Sequence, residues 1–484
     1  MGSEGGMVKS NRLLACDACK LRKVKCNGQQ GCQQCNHLNL RCLYSGRRPR
    51  GSFTTANRAI PDKKRRKRGH VISLCKDVLV PRNENRVADI GIACSSPDHP
   101  LEASTQSTMA NQYGPSFFMP LIPEYMAFVY PFYPIITEYE LRESIFKMTT
   151  DIGHCYFVYA TGAVILNLKR NDPLAFRHVE LLIKHVLELR GAIKPDRSVT
   201  IRTIMTSDYV HTCLVAHHNP EMGWFYLREA IAMAQILRID ETRELAKLNA
   251  SERARRQRLT WMLCIHERFL GIHIYRPATF LPLLCLPEYD PTLTAGVHNG
   301  FIQIIRLFRN VDSLFLKHWL NSGADSTITS TWIEETQKRL DVSEIDTEGL
   351  TEVQQTDVMI TRHWLRMIVW EIAMSACLLS SDAPNDFMSL DFPVCAARDL
   401  RELVVRMSPS SFDVNGSCIV QKLFELTYAI ADVIIHVPAS SFQRASDRYE
   451  IFLVLIRFVL GLGWIDELQR HMLQEKLDTL CSAT

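Results

Sequence analysis

Residues 16–42 read CDACKLRKVKCNGQQGCQQCNHLNLRC and place six of the chain's sixteen cysteines within twenty-seven residues. Cys16, Cys19 and Cys26 are spaced C-x2-C-x6-C, and Cys32, Cys35 and Cys42 repeat that spacing after a five-residue loop, so the segment is an internal duplication. Zinc takes four tetrahedral ligands, and a C-x2-C pair supplies two thiolates from one turn. Six thiolates cannot fill two separate tetrahedra, so two sulfurs must each bridge both metals and the spacing predicts a two-zinc cluster. The duplication makes Cys16 and Cys32 the natural bridges, with Cys19 and Cys26 completing one zinc and Cys35 and Cys42 the other. A disulfide scaffold and a one-zinc module with spare thiols are the competing readings. The first needs an oxidising compartment, and the second leaves the repeated spacing without a reason. So short a segment cannot bury enough apolar surface to offset its ordering entropy, and its folding is expected to depend on metal.

The two halves differ in charge. Lys20, Arg22, Lys23 and Lys25 lie between the second and third cysteines of the first half, where the second half has Asn36, His37, Leu38, Asn39, Leu40 and Arg41. Cations on a short metal-pinned helix can enter a major groove and donate to the O6 and N7 acceptors of guanine. They could instead merely offset the negative charge of six thiolates around two zincs. The basic surplus, however, continues far past the metal site, as phosphate contacts would require. Residues 1–70 hold seventeen Lys or Arg against Glu4, Asp17 and Asp62, a net +14, while residues 71–484 hold 39 basic and 49 acidic groups, a net −10. A basic module on an acidic body predicts a polyanionic partner for the module alone.

The pattern CDACKLRKVKC…CQQCNHLNLRC resembles the binuclear Zn2Cys6 DNA-binding domain of fungal transcription factors. The resemblance implies the same bridging assignment, two Zn2+ per chain, double-stranded DNA with CGG-containing sites as partner, and action in the nucleus. Carried over by position, the pair that reads CGG falls on Arg22 and Lys23, with Lys20 and Lys25 as phosphate partners and Arg41 as a further DNA contact. Many members of the family have a proline before the fourth cysteine; Gly31 stands there in this chain, which loosens the expected pose of the halves but leaves the ligands untouched.

Outward from the cluster, residues 1–15 read as a disordered tail and 43–114 as a basic, largely disordered linker rich in Ser, Asn, Asp and Pro. Arg47, Arg48 and Arg50 could form an extended arm in a minor groove. The run Lys63, Lys64, Arg65, Arg66, Lys67 and Arg68 reads as a nuclear localisation signal. Family dimers often use a coiled coil after the cluster. Here Val71, Leu74 and Val78, followed by prolines at 81, 97 and 100, give at most two heptads, short of the three or four that define one. A homodimer is therefore an expectation from the family and not from the heptads.

From about Pro115 to the C-terminus the pattern is helical, so the expected fold class is mostly α: a small Zn2Cys6 module (16–42), the linker, and a large all-α regulatory domain over 115–484. Trp224, Leu227, Ala230, Ile231, Ala234 and Leu237 form one apolar stripe, and Leu259, Met262, Leu263, His266 and Phe269 another. The segments YPFYPII (130–136), REAIAMAQILRI (228–239), ERARRQRLTWML (252–263) and RPATFLP (276–282) resemble the central regulatory homology region of the same family, and ERFLGIHIYRP is similar to the version in regulators of starch and maltose use. The implied role is RNA polymerase II gene regulation, as an activator of a metabolic pathway or secondary-metabolite gene cluster, with transcriptional machinery or co-regulators as further partners.

Other classes find less support. No segment has the roughly 20 apolar residues of a membrane helix, and no secretory signal is apparent, so no membrane partner is expected. The ten cysteines outside the cluster, Cys213, Cys264 and Cys377 among them, are expected in the core as small hydrophobes. There is no P-loop, G-x-G-x-x-G, G-x-S-x-G or H-E-x-x-H motif, and His266-Glu267 lacks a second histidine; no catalytic residue is assigned and no enzyme is expected. A helical metabolite sensor with subordinate DNA binding is the alternative, with an enzyme bearing a zinc appendage behind it. His217-His218 is read as structural, the acidic stretch Glu334–Asp357 as solvated surface ahead of a recruitment site, and the terminal pattern Leu468, Leu473, Leu477 and Leu480 as closing the core.

Overall fold

A computed structural model describes residues 113–168, 172–191, 199–321, 327–341, 347–380 and 385–483. Among them no strand forms; one isolated bridge pairs Ser380 with Ser389. The first helix of any length, α1 (Glu138–Lys147), starts at a reciprocal cap: Glu140 N donates to Thr137 Oγ1 at 3.3 Å and Thr137 N donates to the Glu140 carboxylate at 2.9 Å. Asp151 caps α2 (Ile152–Asn167), Asp172 caps α3 (Pro173–Arg190) and Thr200 caps α4 (Ile201–Ala216). Asn219 caps α5 (Pro220–Ile236), with Pro220 at the first helical position, and Asn249 caps α6 (Ala250–His273). The remaining long helices are α7 (Ala295–Phe308), α8 (Ser313–Leu320), α9 (Ser330–Asp341), α10 (Glu352–Ser375), α11 (Phe392–Arg406), α12 (Gly416–His436), α13 (Phe442–Gly461) and α14 (Glu467–Ala483).

These helices enclose two apolar cores. The first gathers α1 to α5 around α2, which is buried on nearly every face from His154 to Asn167. The second gathers α8 to α14 around α10 and α12, with Trp364, Phe412 and Phe452 among its fully buried side chains. Three helices belong to both: α4 gives Ile204 and Tyr209 to the first core and Ala216 to the second, α6 gives Leu259, Met262 and Leu263 to the first and Ile272 to the second, and α7 gives Phe301 and Ile305 to the first and Leu307 and Phe308 to the second.

The four segments that resemble the regulatory homology region meet in space. Arg258 donates from Nε to Pro134 O at 2.9 Å and pairs through a second nitrogen with buried Asp290 at 3.0 Å. Glu267, with no solvent exposure, accepts from Arg228 and from the backbone N–H groups of Thr279 (3.1 Å) and Phe280 (2.8 Å). Arg268 donates to the carbonyls of Val311 at 2.9 Å and Cys264 at 3.2 Å. The buried charges Arg258, Glu267 and Arg268 are thus internal ties, hydrogen-bonded as buried charges must be.

The expected stripe on α5 is buried at Leu227, Ala230, Ile231 and Ala234, with Trp224 and Leu237 half-buried. On α6, His266 departs from the expected core stripe: it is half-buried and turned toward a polar cluster. Cys213 and Cys264 are buried as expected, but Cys377 is exposed, because it lies just past the end of α10 in the left-handed conformation with φ 57°. On α14, Leu473 and Leu480 are buried in the second core and Leu477 packs against that core, while Leu468 is exposed, so the helix closes it.

Candidate functional site

A cavity of about 170 Å³ lies between the two cores, a space that admits a molecule of about one ring. Aromatic walls come from Phe128, Phe132 and Tyr133 ahead of α1, Phe269 on α6, and Phe301 and Phe308 on α7. Its polar groups stand at two places. On one side buried Lys422 of α12 donates from Nζ to Thr361 Oγ1 at 2.7 Å and to Asp357 Oδ1 at 3.3 Å, both on α10. Its ammonium also sits 5.3 Å from the Phe269 ring centroid and 5.8 Å from that of Trp364. The Cys418 thiol on this wall is pushed up by burial, against the pull of Lys422, so it stays protonated and is no activated nucleophile.

On the other side His266 joins a cluster behind the wall. Its Nδ1 lies 2.8 Å from Asp208 Oδ1 on α4. Asp208 is fully buried, and its other oxygen, Oδ2, has no hydrogen-bond partner. One turn along α4, His211 places Nδ1 3.0 Å from Gly223 O on α5. Gly223 lets the helices close to that distance: a Cβ there would stand 2.6 Å from Val215 Cγ2. Burial, and then the neighbouring His266, pull His211 down to about 4, so its imidazole is neutral at pH 7. One donor atom from each of Asp208, His211 and His266 lies within 4.8 Å of the others. Tyr133 covers the group, its ring centroid 5.4 Å from that of His266.

Sequence reasoning missed this cluster. Asp208 and His211 stand i, i+3 on one helix, a visible signal, but His266 is distant in sequence and falls by position on an apolar stripe. The His217-His218 pair is structural at His217, which stacks on Phe176 at 4.4 Å. Three acids of the 334–357 stretch serve the fold: Asp341 pairs with Arg366 at 2.7 Å, Glu352 accepts from Ser408 Oγ at 2.9 Å, and Asp357 holds Lys422.

The sequence-predicted metal ligands (Cys16, Cys19, Cys26, Cys32, Cys35, Cys42), DNA contacts (Lys20, Arg22, Lys23, Lys25, Arg41, Arg47, Arg48, Arg50) and import signal (Lys63, Lys64, Arg65, Arg66, Lys67, Arg68) lie outside the described residues. Among the described residues no helix is long and apolar enough to cross a membrane.

Residues 14–51 match the family model of the fungal Zn(2)-Cys(6) binuclear cluster domain. The maltose fermentation regulatory protein MAL13 of Saccharomyces cerevisiae is 21% identical over 431 residues, covering 87% of this chain and 84% of that one. The probable sucrose utilization protein SUC1 of Candida albicans is 21% identical over 352 residues, 69% of this chain and 68% of its own. The fumonisin cluster-specific transcription factor FUM21 of Gibberella moniliformis is 55% identical over 34 residues, 7% of this chain and 5% of that one. No solved structure matches. Residues 14–51 are thus a fungal Zn2Cys6 binuclear cluster domain, the mark of DNA-binding transcription regulators, and a helical domain follows it. Its cofactor is zinc, two ions held in the binuclear cluster, and the six thiols of residues 16–42 are a donor set suited to it.

Proposed function

We propose that the chain is a nuclear, sequence-specific regulator of genes transcribed by RNA polymerase II and that it recognises CGG elements through its zinc cluster. Cys16 and Cys32 bridge the two zincs, and Arg22 and Lys23 donate to guanine edges in the major groove. Lys20, Lys25 and Arg41 contact phosphate, Arg47, Arg48 and Arg50 follow the minor groove, and residues 63–68 direct import. The observation that carries this reading is the duplicated C-x2-C-x6-C with its cations confined to the first half, inside the segment matched by the family model. The zinc ions only fix the shape of the module; the cationic side chains make the contacts. The names of the relatives that align over most of the chain, a maltose fermentation regulatory protein and a probable sucrose utilization protein, support control of carbohydrate use over a secondary-metabolite cluster, since the fumonisin cluster-specific transcription factor aligns over 34 residues alone. The chain acts by binding and not by catalysis.

Fluorescence anisotropy with CGG and scrambled duplexes tests the assignment. Arg22→Ala with Lys23→Ala should remove the preference for CGG, about 1–3 kcal/mol per base pair read. Lys25→Ala should weaken binding to all duplexes alike and lower the slope of log affinity against log salt by about one unit. A double variant that still prefers CGG overturns the assignment.

The cavity favours a second reading, in which small-molecule sensing by the helical domain is the main activity. Its aromatic walls and the Lys422–Asp357–Thr361 group suit a small polar ring such as a sugar. Saturable binding of such a molecule to the full chain without DNA, lost in Lys422→Met, supports this reading; DNA affinity that does not respond to any ligand counts against it.

A further inference from the structure

We propose that Asp208, His211 and His266 form a third metal site, for one divalent transition-metal ion, separate from the two-zinc cluster. Two helices supply the ligands: Asp208 and His211 at i, i+3 on α4, and His266 on α6. Helical bundles build core metal sites from this arrangement, a carboxylate and a histidine three residues apart on one helix completed from another. Three details of the cluster point to a cation. A fully buried carboxylate with one oxygen unpartnered is costly unless a positive charge meets it, and Asp208 Oδ2 is that oxygen. The Gly223 carbonyl takes Nδ1 of His211 at 3.0 Å, which fixes the tautomer and leaves Nε2 as a lone-pair donor, the usual outer contact of a metal-bound histidine. The three donor atoms already stand within 4.8 Å of one another.

The ligand set chooses the class of ion. Two imidazoles and one carboxylate suit zinc and its first-row neighbours, whereas calcium and magnesium want six or more oxygens. Three protein ligands leave a fourth position, as in zinc sites that exchange water. His266 also lines the cavity, so an oxygen or nitrogen donor of a cavity ligand can fill that position. The competing account is an ion pair between Asp208 and protonated His266 that binds no metal.

Metal content and cobalt spectra of full-length protein decide between them. The wild-type chain loaded with zinc and passed through gel filtration should retain three equivalents, and His266→Gln or His211→Gln two. With the six cluster cysteines changed to serine, the full-length chain should still bind one Co2+, with visible d–d absorption and no thiolate charge transfer. Asp208→Asn, His211→Gln and His266→Gln should each weaken that binding by at least about tenfold, with helical circular dichroism unchanged. His211 is buried; should its variant misfold, the half-buried His266 decides. Two equivalents in the wild type with no Co2+ bound by the serine variant, or cobalt binding indifferent to the three substitutions, overturns the site. Failure of the cluster would register separately, as missing thiolate charge transfer in the cobalt-loaded wild type.

Discussion

Glu267 holds three segments with one carboxylate, accepting from Arg228 on α5 and from two backbone N–H groups of the loop after α6. Glu267→Ala strands those donors, and stability should fall by about 3 kcal/mol; denaturant unfolding with a change under 1 kcal/mol would mean the tie is dispensable. His363 acts through its protonation. Burial, with Arg362 and Arg366 nearby, holds its folded pKa down to about 3, against about 6.5 in the unfolded chain. Its neutral form is native, so the full contribution stands above pH 6.5 and declines as pH falls below that, where the unfolded chain takes up the proton first. At pH 4.5 His363→Leu should therefore have lost about 2–3 kcal/mol less than the wild type, each relative to pH 7.5. Thermal melts across that range measure the difference, and parallel curves would contradict it.

Helix ends carry a device that periodicity does not reveal. Each non-glycine residue with positive φ among the described residues, His218, Arg238, Tyr275 and Cys377, stands just past a helix, and the next N–H donates back five residues: Asn219 to Leu214, Ile239 to Ala234, Arg276 to Gly271 and Leu378 to Ala373. These are Schellman closures without the usual glycine. A side chain in the left-handed region costs about 1–2 kcal/mol, so Cys377→Gly at the exposed end of α10 should stabilise the protein by about 0.5–1 kcal/mol after its greater unfolded-state entropy is subtracted. A destabilised variant would show that Cys377 has a packing role. The same closures explain what the sequence left illegible. Stripes such as Leu227 to Ala234 announce the helices and their buried faces, but no glycine marks these four ends. Cys377, expected in the core as a small hydrophobe, stands at one of these exposed ends, and His266 fits an apolar stripe by position while its imidazole serves a polar cluster.

At the scale of the molecule, a basic module with its own metal scaffold precedes an acidic helical body whose two cores share α4, α6 and α7. The module is legible from spacing alone, because metal chemistry fixes ligand number and the chain supplies all six sulfurs in one short run. The cavity is not legible, because its wall draws on segments from Phe128 to Lys422 that only folding brings together. The measurement that tests the central claim most directly is duplex binding by the full-length chain before and after a chelator strips its metal under reducing conditions, with helicity followed in the same samples. The account predicts that the preference for CGG over scrambled duplex disappears, that the body keeps most of its helical signal, and that added zinc restores the preference. A metal-free chain that still selects CGG would contradict it.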